Sequence, residues 1–325
     1  MNKRKLAGMN VTEIGLGTWQ LGTKWGDPFD AKEARNILEA SLENGINVID
    51  TADVYNDNLS EIAIGEFLQD HKNDEIYVLT KCGRALDPHV SEGYNAQNIR
   101  RFTEASLKRL KVDALDLIQL HCPPTDVYAK EEVYEELRAL KAEGKIKNYG
   151  VSIEKVEEGI EAMKHGISSI QVIFNMFRLK PAELLFEEAK KNDVGLIVRV
   201  PLASGLLTGK FSKDTKFSAG DHRFYNRNGE SFDKGETFSG VDYETGLNAV
   251  EALKELFPDE KLHLIALRYI LMYDAVSTVI PGASRTEQVV SNVSAASLAP
   301  LTEAQMQGVK DIYDKYIRES VHPLW

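Results

Sequence analysis

The stretch LDLIQLH at residues 115–121 is a short, mostly apolar run that ends in a histidine. It follows residues 95–110, whose apolar side chains recur with the spacing of one helix face. An apolar run too short for a helix, placed directly after an amphipathic helix, is typical of a buried strand in a parallel sheet. The unit predicted here is therefore a helix followed by a parallel strand.

The same alternation continues along almost the whole chain. We predict further strands at residues 13–18, 47–50, 76–81, 146–152, 170–175, 194–200 and 276–280. Eight strands separated by helices predict an α/β fold of the (β/α)8 type, a TIM barrel, with residues 1–325 as a single domain. The alternative is a doubly wound open sheet, which usually begins with a GxGxxG turn. Residues 15–20 read GLGTWQ and lack the third glycine, so the barrel is favoured.

Two segments do not follow this alternation. Residues 211–243, after the seventh strand, are polar and glycine-rich but contain several aromatic residues. A loop of this length is typical of a lid or binding loop, and a tolerated surface insertion is the alternative. The C-terminal helix at 302–317 is followed by a tail that ends in Trp325. We expect this tail to fold over the barrel mouth and Trp325 to line the substrate pocket; packing on the barrel's flank is the alternative.

The composition excludes several classes of partner. The chain has 39 basic and 50 acidic residues, a formal net charge of −11. Such a surface repels phosphate backbones, so a small molecule is a better partner than nucleic acid or an anionic membrane. No run approaches the roughly 18 apolar residues of a membrane span. The two cysteines, Cys82 and Cys122, lack metal-ligand spacing, so we expect no metal site. With no export signal, they predict a reducing, cytoplasmic setting.

Ionisable side chains stand at or just after the ends of three consecutive predicted strands. Asp50 ends the second strand and Tyr55 follows in its loop, while Lys81 and His121 end the third and fourth. Each one alone has an ordinary structural explanation as a turn, packing or rim residue. Because the carboxyl ends of barrel strands converge on one mouth, we expect the four to meet at a single site.

The four side chains suit the protonation of a carbonyl oxygen. A tyrosine is too weak an acid at neutral pH, and we expect the ammonium of Lys81 to lower the pKa of Tyr55. Asp50 can hold Lys81 charged and oriented, and His121 can bind the substrate oxygen. No side chain is a hydride donor, so a cofactor must supply the electrons.

The ordered motifs resemble those of the aldo-keto reductase superfamily, in particular its bacterial-type members, over nearly the full chain. The matching residues are GLGTW at 15–19, DTADVY at 50–55, Lys81, DLIQLH at 116–121, GVS at 150–152, Gln171, Asn175, PLASGLLTGK at 201–210 and IPGASR at 280–285, followed by Gln288 and Asn292.

The resemblance implies a barrel that binds a nicotinamide cofactor in extended form across its mouth and reduces an aldehyde or ketone, with Tyr55 as the general acid of the tetrad Asp50, Tyr55, Lys81 and His121. It also implies a set of cofactor contacts: Gly17, Thr18, Trp19, Asp50, Ser152, Gln171, Pro201, Leu202, Ser204, Gly205, Leu206, Thr208, Gly209, Lys210, Gly282, Ser284, Arg285, Gln288 and Asn292. We expect an aromatic substrate pocket formed by Trp19, Trp25, Tyr55, His121 and Trp325.

Two positions depart from the family pattern. Ile153 stands where the family commonly places a carboxamide beside the nicotinamide, so Ser152 and Gln171 must make that contact. Ser291 stands where many relatives have an acidic residue that binds adenine.

The preference between NADPH and NADH depends on Arg285. The 2′-phosphate of NADPH needs a local cation in a protein of net charge −11, and Arg285 follows the last strand at the start of a helix. The alternative is a first-turn surface residue, but a cation there is unfavourable without a bound anion. The sequence therefore predicts a preference for NADPH.

Two alternative functions, from classes other than a carbonyl reductase, are considered. A redox-sensing or regulatory subunit, resembling the potassium-channel β-subunits of the same superfamily, would bind the cofactor and act through partners. A metal-dependent barrel hydrolase would require clustered His and Asp ligands, which the sequence lacks.

Overall fold

The computed structural model describes residues 1–23 and 27–325 and contains a parallel sheet of eight strands in chain order. The strands are β1 Lys3–Leu6, β2 Met9–Thr12, β3 Leu16–Gly17, β4 Val48–Asp50, β5 Tyr77–Cys82, β6 Leu117–His121, β7 Tyr149–Ser152, β8 Ser169–Ile173, β9 Gly195–Arg199 and β10 Val276–Val279. Strands β3 to β10 form the parallel sheet.

The first and last strands of this sheet also meet, which closes it into a barrel. Parallel bridges join Ile14 to Val279 and Gly17 to Gly282. The Gly15 amide donates a 2.8 Å hydrogen bond to the Val279 carbonyl, and the Val279 amide donates a 3.0 Å bond to the Glu13 carbonyl. The predicted (β/α)8 barrel is confirmed, and every predicted strand overlaps a strand of the structure.

Strands β1 and β2 form an antiparallel hairpin that the sequence analysis did not predict. Its two-residue turn, Ala7–Gly8, has positive φ at both positions, 50° and 82°, as the twist of a tight hairpin requires. Leu6, Met9 and Val11 pack against interior side chains of the barrel strands, including Leu117. The hairpin therefore fills one end of the barrel. The end where β4, β5 and β6 finish with Asp50, Lys81–Cys82 and His121 is the other one, the mouth.

The helices surround the barrel. They are α1 Ala31–Glu43, α2 Leu59–Asp70, α3 Ala96–Leu110, α4 Glu131–Ala142, α5 Val156–Met163, α6 Lys180–Leu184, α7 Phe186–Lys191, α8 His222–Tyr225, α9 Tyr243–Leu256, α10 Leu262–Leu271, α11 Thr286–Ser294, α12 Glu303–Tyr316 and α13 Arg318–Val321. The amphipathic α3 buries Ile99, Phe102 and Leu110, which are spaced on one face. Among the described residues no helix is both long and apolar enough to cross a membrane.

Residues 211–243, called the long segment below, fold as short turns against the barrel. Phe217 contacts Phe211, Phe238 and Tyr243 edge-on or tilted, with ring centroids 5.3–6.0 Å apart. The guanidinium of Arg223 lies 4.6 Å from the Phe217 ring centroid. Phe211, Phe217 and Phe238 of the long segment therefore form one aromatic cluster with Tyr243.

Candidate active site

The Lys81 ammonium lies at the centre of the predicted tetrad. Its Nζ is 2.6 Å from Asp50 Oδ1, 2.8 Å from the Thr51 carbonyl oxygen and 3.4 Å from the Tyr55 hydroxyl. The His121 ring meets the Tyr55 ring edge to face, at 5.9 Å between centroids. The structure therefore brings all four residues together at the barrel mouth.

The backbone places these groups in two ways. Asp50 and His121 end strands, and Lys81 is the second-last residue of β5, so the parallel strands direct all three to the mouth. Tyr55 depends on the loop between β4 and α2. The next three residues, Asn56, Asp57 and Asn58, all adopt left-handed φ between 50° and 72°. Asn and Asp tolerate this conformation best among residues other than glycine, so the loop can turn sharply after Tyr55.

Burial dominates the electrostatics of the tetrad. It raises the pKa of Tyr55 above its usual value, although the nearby Lys81 charge acts in the opposite direction. Lys81 thus lowers the pKa of Tyr55 as expected, but burial outweighs this effect and the net shift is upward. Burial also opposes the charge of Lys81, but Asp50 and Tyr55 raise its pKa overall. Tyr55 is protonated and Lys81 is charged at neutral pH.

His121 is neutral in the same environment. Burial, followed by the charges of Arg84, Lys81 and Arg199, holds the pKa of His121 well below its usual value. Its Nδ1 is buried without a hydrogen-bond partner among the described residues. A neutral imidazole can present an N–H to a substrate oxygen without adding a charge.

A second polar cluster lies beside the tetrad. Arg199 Nη2 is 2.8 Å from Glu154 Oε1 and 3.4 Å from Cys122 Sγ, and Arg199 Nη1 is 3.8 Å from Glu236 Oε2. Ligand atoms of Cys122, Glu154 and Glu236 lie within 4.8 Å of one another, as in a metal site. The Arg199 guanidinium contacts all three residues, so the protein itself supplies the cation at this position.

A cavity of about 670 Å³ opens at the mouth and contacts Asp50, Tyr55 and His121. A second cavity of about 730 Å³ continues from it, and Leu202, Thr208, Lys210, Gly282 and Gln288 line both. Together they form an elongated groove. The predicted cofactor residues that line the groove are Gly17, Thr18, Trp19, Asp50, Gln171, Pro201, Leu202, Ser204, Gly205, Thr208, Gly209, Lys210, Gly282, Ser284, Arg285, Gln288 and Asn292.

Two predicted cofactor residues are not among the described residues that line the groove. Leu206 is buried in the core. Ser152 is also buried, and its hydroxyl lies 3.4 Å from Cys122 Sγ. Gln171 remains next to the tetrad, because its Nε2 donates a 2.7 Å hydrogen bond to Asp50 Oδ2.

The groove contains features that fit an extended dinucleotide. Beside β9, Ala203, Ser204 and Gly205 have consecutive positive φ values of 47°, 53° and 98°. Such strained turns persist where the surrounding structure enforces them, and they cluster at ligand sites. The second cavity is lined by four cations and three carboxylates: Lys210, Lys254, Lys261 and Arg285 with Asp259, Glu260 and Glu287. The Arg285 side chain is 60% exposed, and its Nε lies 3.9 Å from the Glu287 carboxylate.

The predicted substrate pocket is only partly reproduced. Trp19, Tyr55 and His121 line the cavity together with Phe232 and Tyr225 of the long segment. Trp25 lies outside the described residues.

Trp325 is not among the described residues lining the cavity. It is buried behind the long segment, where its Nε1 donates a 2.8 Å hydrogen bond to Asp233 and its ring stacks on the Arg178 guanidinium. The placement of Trp325 in the pocket is therefore corrected. This position is favourable for the indole, because its N–H donates to a carboxylate and the face of its ring contacts a cation.

Among the described residues, four charged residues of the cavity wall were not predicted from the sequence: Arg84, Arg199, Arg223 and Glu236. Arg199 ends β9, so the strand-end criterion that selected Asp50 and His121 also applies to it. Arg84 and Glu236 lie in loops, where no periodic pattern marks them.

Comparisons with known proteins agree with this architecture. A family model described as the Aldo/keto reductase family matches residues 13–314. An uncharacterized oxidoreductase, YqkF of Bacillus subtilis, is 33% identical over 96% of this chain and 98% of its own length.

Solved structures extend the likeness to the fold. The aldo-keto reductase AKR11C1 from Bacillus halodurans, in its holo form, is 32% identical over 96% of both chains, with a TM-score of 0.77. The glycerol dehydrogenase AKR11B4 from Gluconobacter oxydans is 27% identical over 100% of this chain and 98% of its own, with a TM-score of 0.80. An NADH-specific methylglyoxal reductase of Escherichia coli is 27% identical over 89% of this chain and 91% of its own. A probable voltage-gated potassium channel subunit beta of Arabidopsis thaliana is 28% identical over 91% of this chain and 90% of its own.

Proposed function

Because the chain belongs to the aldo/keto reductase family, a family of oxidoreductases that use nicotinamide cofactors, we propose that it reduces an aldehyde or ketone to an alcohol with NADPH, and that Tyr55 donates the proton. The observation that carries this proposal is the contact of one buried ammonium, Lys81, with both the Asp50 carboxylate and the Tyr55 hydroxyl.

The elongated groove is the proposed cofactor site. Gln171 and the turn at 203–205 would hold the nicotinamide side and the pyrophosphate, and Arg285 with Gln288 and Asn292 would hold the adenosine phosphate. When bound, the reduced nicotinamide supplies a hydride ion to the carbonyl carbon.

The side chains at the mouth would complete the reduction. His121 donates a hydrogen bond to the carbonyl oxygen and orients it. As the carbonyl carbon accepts the hydride, the developing alkoxide takes the proton of Tyr55, and the resulting phenolate is stabilised by the charge of Lys81. Solvent then returns a proton to Tyr55. One carbonyl, one hydride and one proton thus give one alcohol.

The position of Arg285 supports a binding preference for NADPH over NADH. An exposed guanidinium immediately before α11 combines with the amides of that helix to favour an anionic phosphate. Because a relative is named an NADH-specific reductase, the cofactor must be measured directly.

We also propose a cellular environment for the protein. Cys82 and Cys122 are both free, which supports the proposal of a reducing, cytoplasmic environment.

The decisive test is oxidation of NADPH and of NADH, followed at 340 nm, against a panel of short aldehydes, sugar aldehydes, methylglyoxal and quinones. Turnover with at least one carbonyl is expected. Tight NADPH binding with only trace turnover throughout would instead favour the regulatory subunit.

A further inference from the structure

Arg84 lies in the loop just after β5 and lines the same cavity as Tyr55 and His121. Its guanidinium carbon lies 5.4 Å from the centroid of the Phe232 ring, which covers one of its faces. Its Nη1 is 2.8 Å from Glu236 Oε1. Two groups of the long segment therefore hold this guanidinium in a defined orientation at the cavity wall.

The ion pair with Glu236 uses only part of the guanidinium. Arginine carries five N–H donors, and among the described residues the only hydrogen bond of Arg84 is the one from Nη1. Its side chain is 22% exposed, so donors remain accessible from the cavity. A planar cation with free N–H groups can bind a carboxylate or phosphate through two parallel hydrogen bonds.

The other charges around the cavity do not cancel this cation. The Asp50 carboxylate is bound by Lys81 and Gln171, and Glu236 is shared between Arg84 and Arg199. Glu154 is engaged by Arg199. Besides burial, the charges that hold down the pKa of His121 are cationic, those of Arg84, Lys81 and Arg199 foremost. The place where the substrate oxygen would sit is therefore positive, which favours a substrate that brings its own negative charge.

We propose that Arg84 recognises an anionic group, a carboxylate or a phosphate, on the carbonyl substrate. This inference rests on the proposed function and names its substrate class: aldehydes or ketones that carry an anion at a distance from the carbonyl. The carbonyl lies between Tyr55 and His121, and the anion lies against the accessible N–H groups of Arg84.

The test uses pairs of substrates that differ only in the anion. Succinic semialdehyde is compared with butanal, and glyceraldehyde 3-phosphate with glyceraldehyde. The wild-type protein is expected to show a kcat/KM at least about tenfold higher for an anionic member than for its neutral partner, mainly through a lower KM. A larger ratio of kcat/KM values for the succinic semialdehyde pair indicates recognition of a carboxylate, and a larger ratio for the glyceraldehyde 3-phosphate pair indicates recognition of a phosphate.

Variants then assign the effect to Arg84. Arg84→Gln is expected to remove most of the preference, because it lowers kcat/KM far more for the anionic member of each pair than for its neutral partner. Since this change leaves the buried Glu236 carboxylate with less compensation, the double variant Arg84→Gln with Glu236→Gln is measured alongside. Arg101→Gln, which removes an exposed arginine on α3, is the matched control. It should leave kcat/KM unchanged for both the neutral and the anionic substrates.

Two results would overturn the inference: equal kcat/KM within both pairs in the wild type, or an equal loss for neutral and anionic substrates in Arg84→Gln. If the wild type reduces no carbonyl, the proposed function fails, and Arg84 is judged by calorimetry of 4-hydroxybutanoate binding to the NADP-loaded protein. Binding that is at least about tenfold weaker in Arg84→Gln supports anion recognition, and unchanged or absent binding rejects it.

Discussion

The ammonium nitrogen of Lys81 lies 3.4 Å from the hydroxyl oxygen of Tyr55. Burial raises the pKa of the phenol, and the adjacent charge opposes that rise. The phenol therefore keeps its proton at neutral pH, while a phenolate formed during reaction would have a cation at hydrogen-bond distance. This arrangement is suited to a group that must hold a proton before the reaction and release it in the transition state.

Tyr55→Phe is expected to lower kcat for carbonyl reduction by about 10²–10⁴-fold, because the ring keeps its packing but loses its proton. Affinity for NADPH, measured by quenching of intrinsic fluorescence, should stay within about twofold. Lys81→Met should also lower kcat, since the phenolate loses its stabilising charge. Retention of more than about a tenth of wild-type turnover by Tyr55→Phe, with chemistry rate-limiting, contradicts the role of Tyr55.

Arg285→Ala is expected to reduce the preference for NADPH over NADH by about ten- to a hundredfold, because a phosphate loses its charged partner while a ribose hydroxyl loses little. Titration of wild type and variant with both cofactors measures the change. Arg101→Ala, on the outer surface of α3, is the control for the loss of one positive charge. Equal affinities of the wild type for NADPH and NADH would contradict the proposed role of Arg285.

Asp53→Asn is expected to stabilise the protein more at pH 8 than at pH 5. Burial, reinforced by the nearby Glu61 carboxylate, raises the pKa of Asp53 to about 7. An unfolded aspartate has a pKa of about 3.9, so between these values the folded state holds a proton that the unfolded state has lost. The free energy of unfolding therefore falls as pH rises from about 4 to 7. Because asparagine does not ionise, Asp53→Asn removes this pH-dependent decrease in stability.

The difference in unfolding free energy between Asp53→Asn and wild type should grow by about 2–3 kcal/mol from pH 5 to pH 8. Urea denaturation at the two pH values measures it. Asp113→Asn, which changes an exposed carboxylate, is the control and should stay within about 0.5 kcal/mol of wild type at both. A difference for Asp53→Asn that is the same at pH 5 and pH 8 would rule out the titration of this carboxyl.

Trp325→Ala is expected to lower the free energy of unfolding by about 3–5 kcal/mol, because a buried indole is lost together with its bond to Asp233 and its stacking on Arg178. Leu324→Ala, one residue earlier and 51% exposed, should cost no more than about 0.5 kcal/mol. Equal denaturation midpoints for the two variants would mean that the contacts of Trp325 with Asp233 and Arg178 do not stabilise the protein.

Much of the fold could be predicted because the barrel is built from a repeated local pattern. Each strand is a short apolar run next to an amphipathic helix, and this periodicity is visible without any tertiary information. Asp50, Lys81 and His121 could be placed together for the same reason, since parallel strands bring their ends to one edge. The β1–β2 hairpin was missed because β1, with the sequence KRKL, shows no alternation of apolar and polar residues and Ala7–Gly8 is a weak turn signal.

The sequence by itself determined the barrel and the four tetrad residues, because strand period and strand order depend on local residue pattern and Tyr55 directly follows a predicted strand end. Only the tertiary structure decided the net pKa shift of Tyr55, since burial and the Lys81 charge act in opposite directions and their balance depends on packing. It also decided that Trp325 lies behind the long segment and that Arg84 and Glu236 meet at the cavity wall, 152 residues apart in the chain. Contacts between loops leave no periodic signal, because they form only after the barrel has fixed where each loop begins and ends.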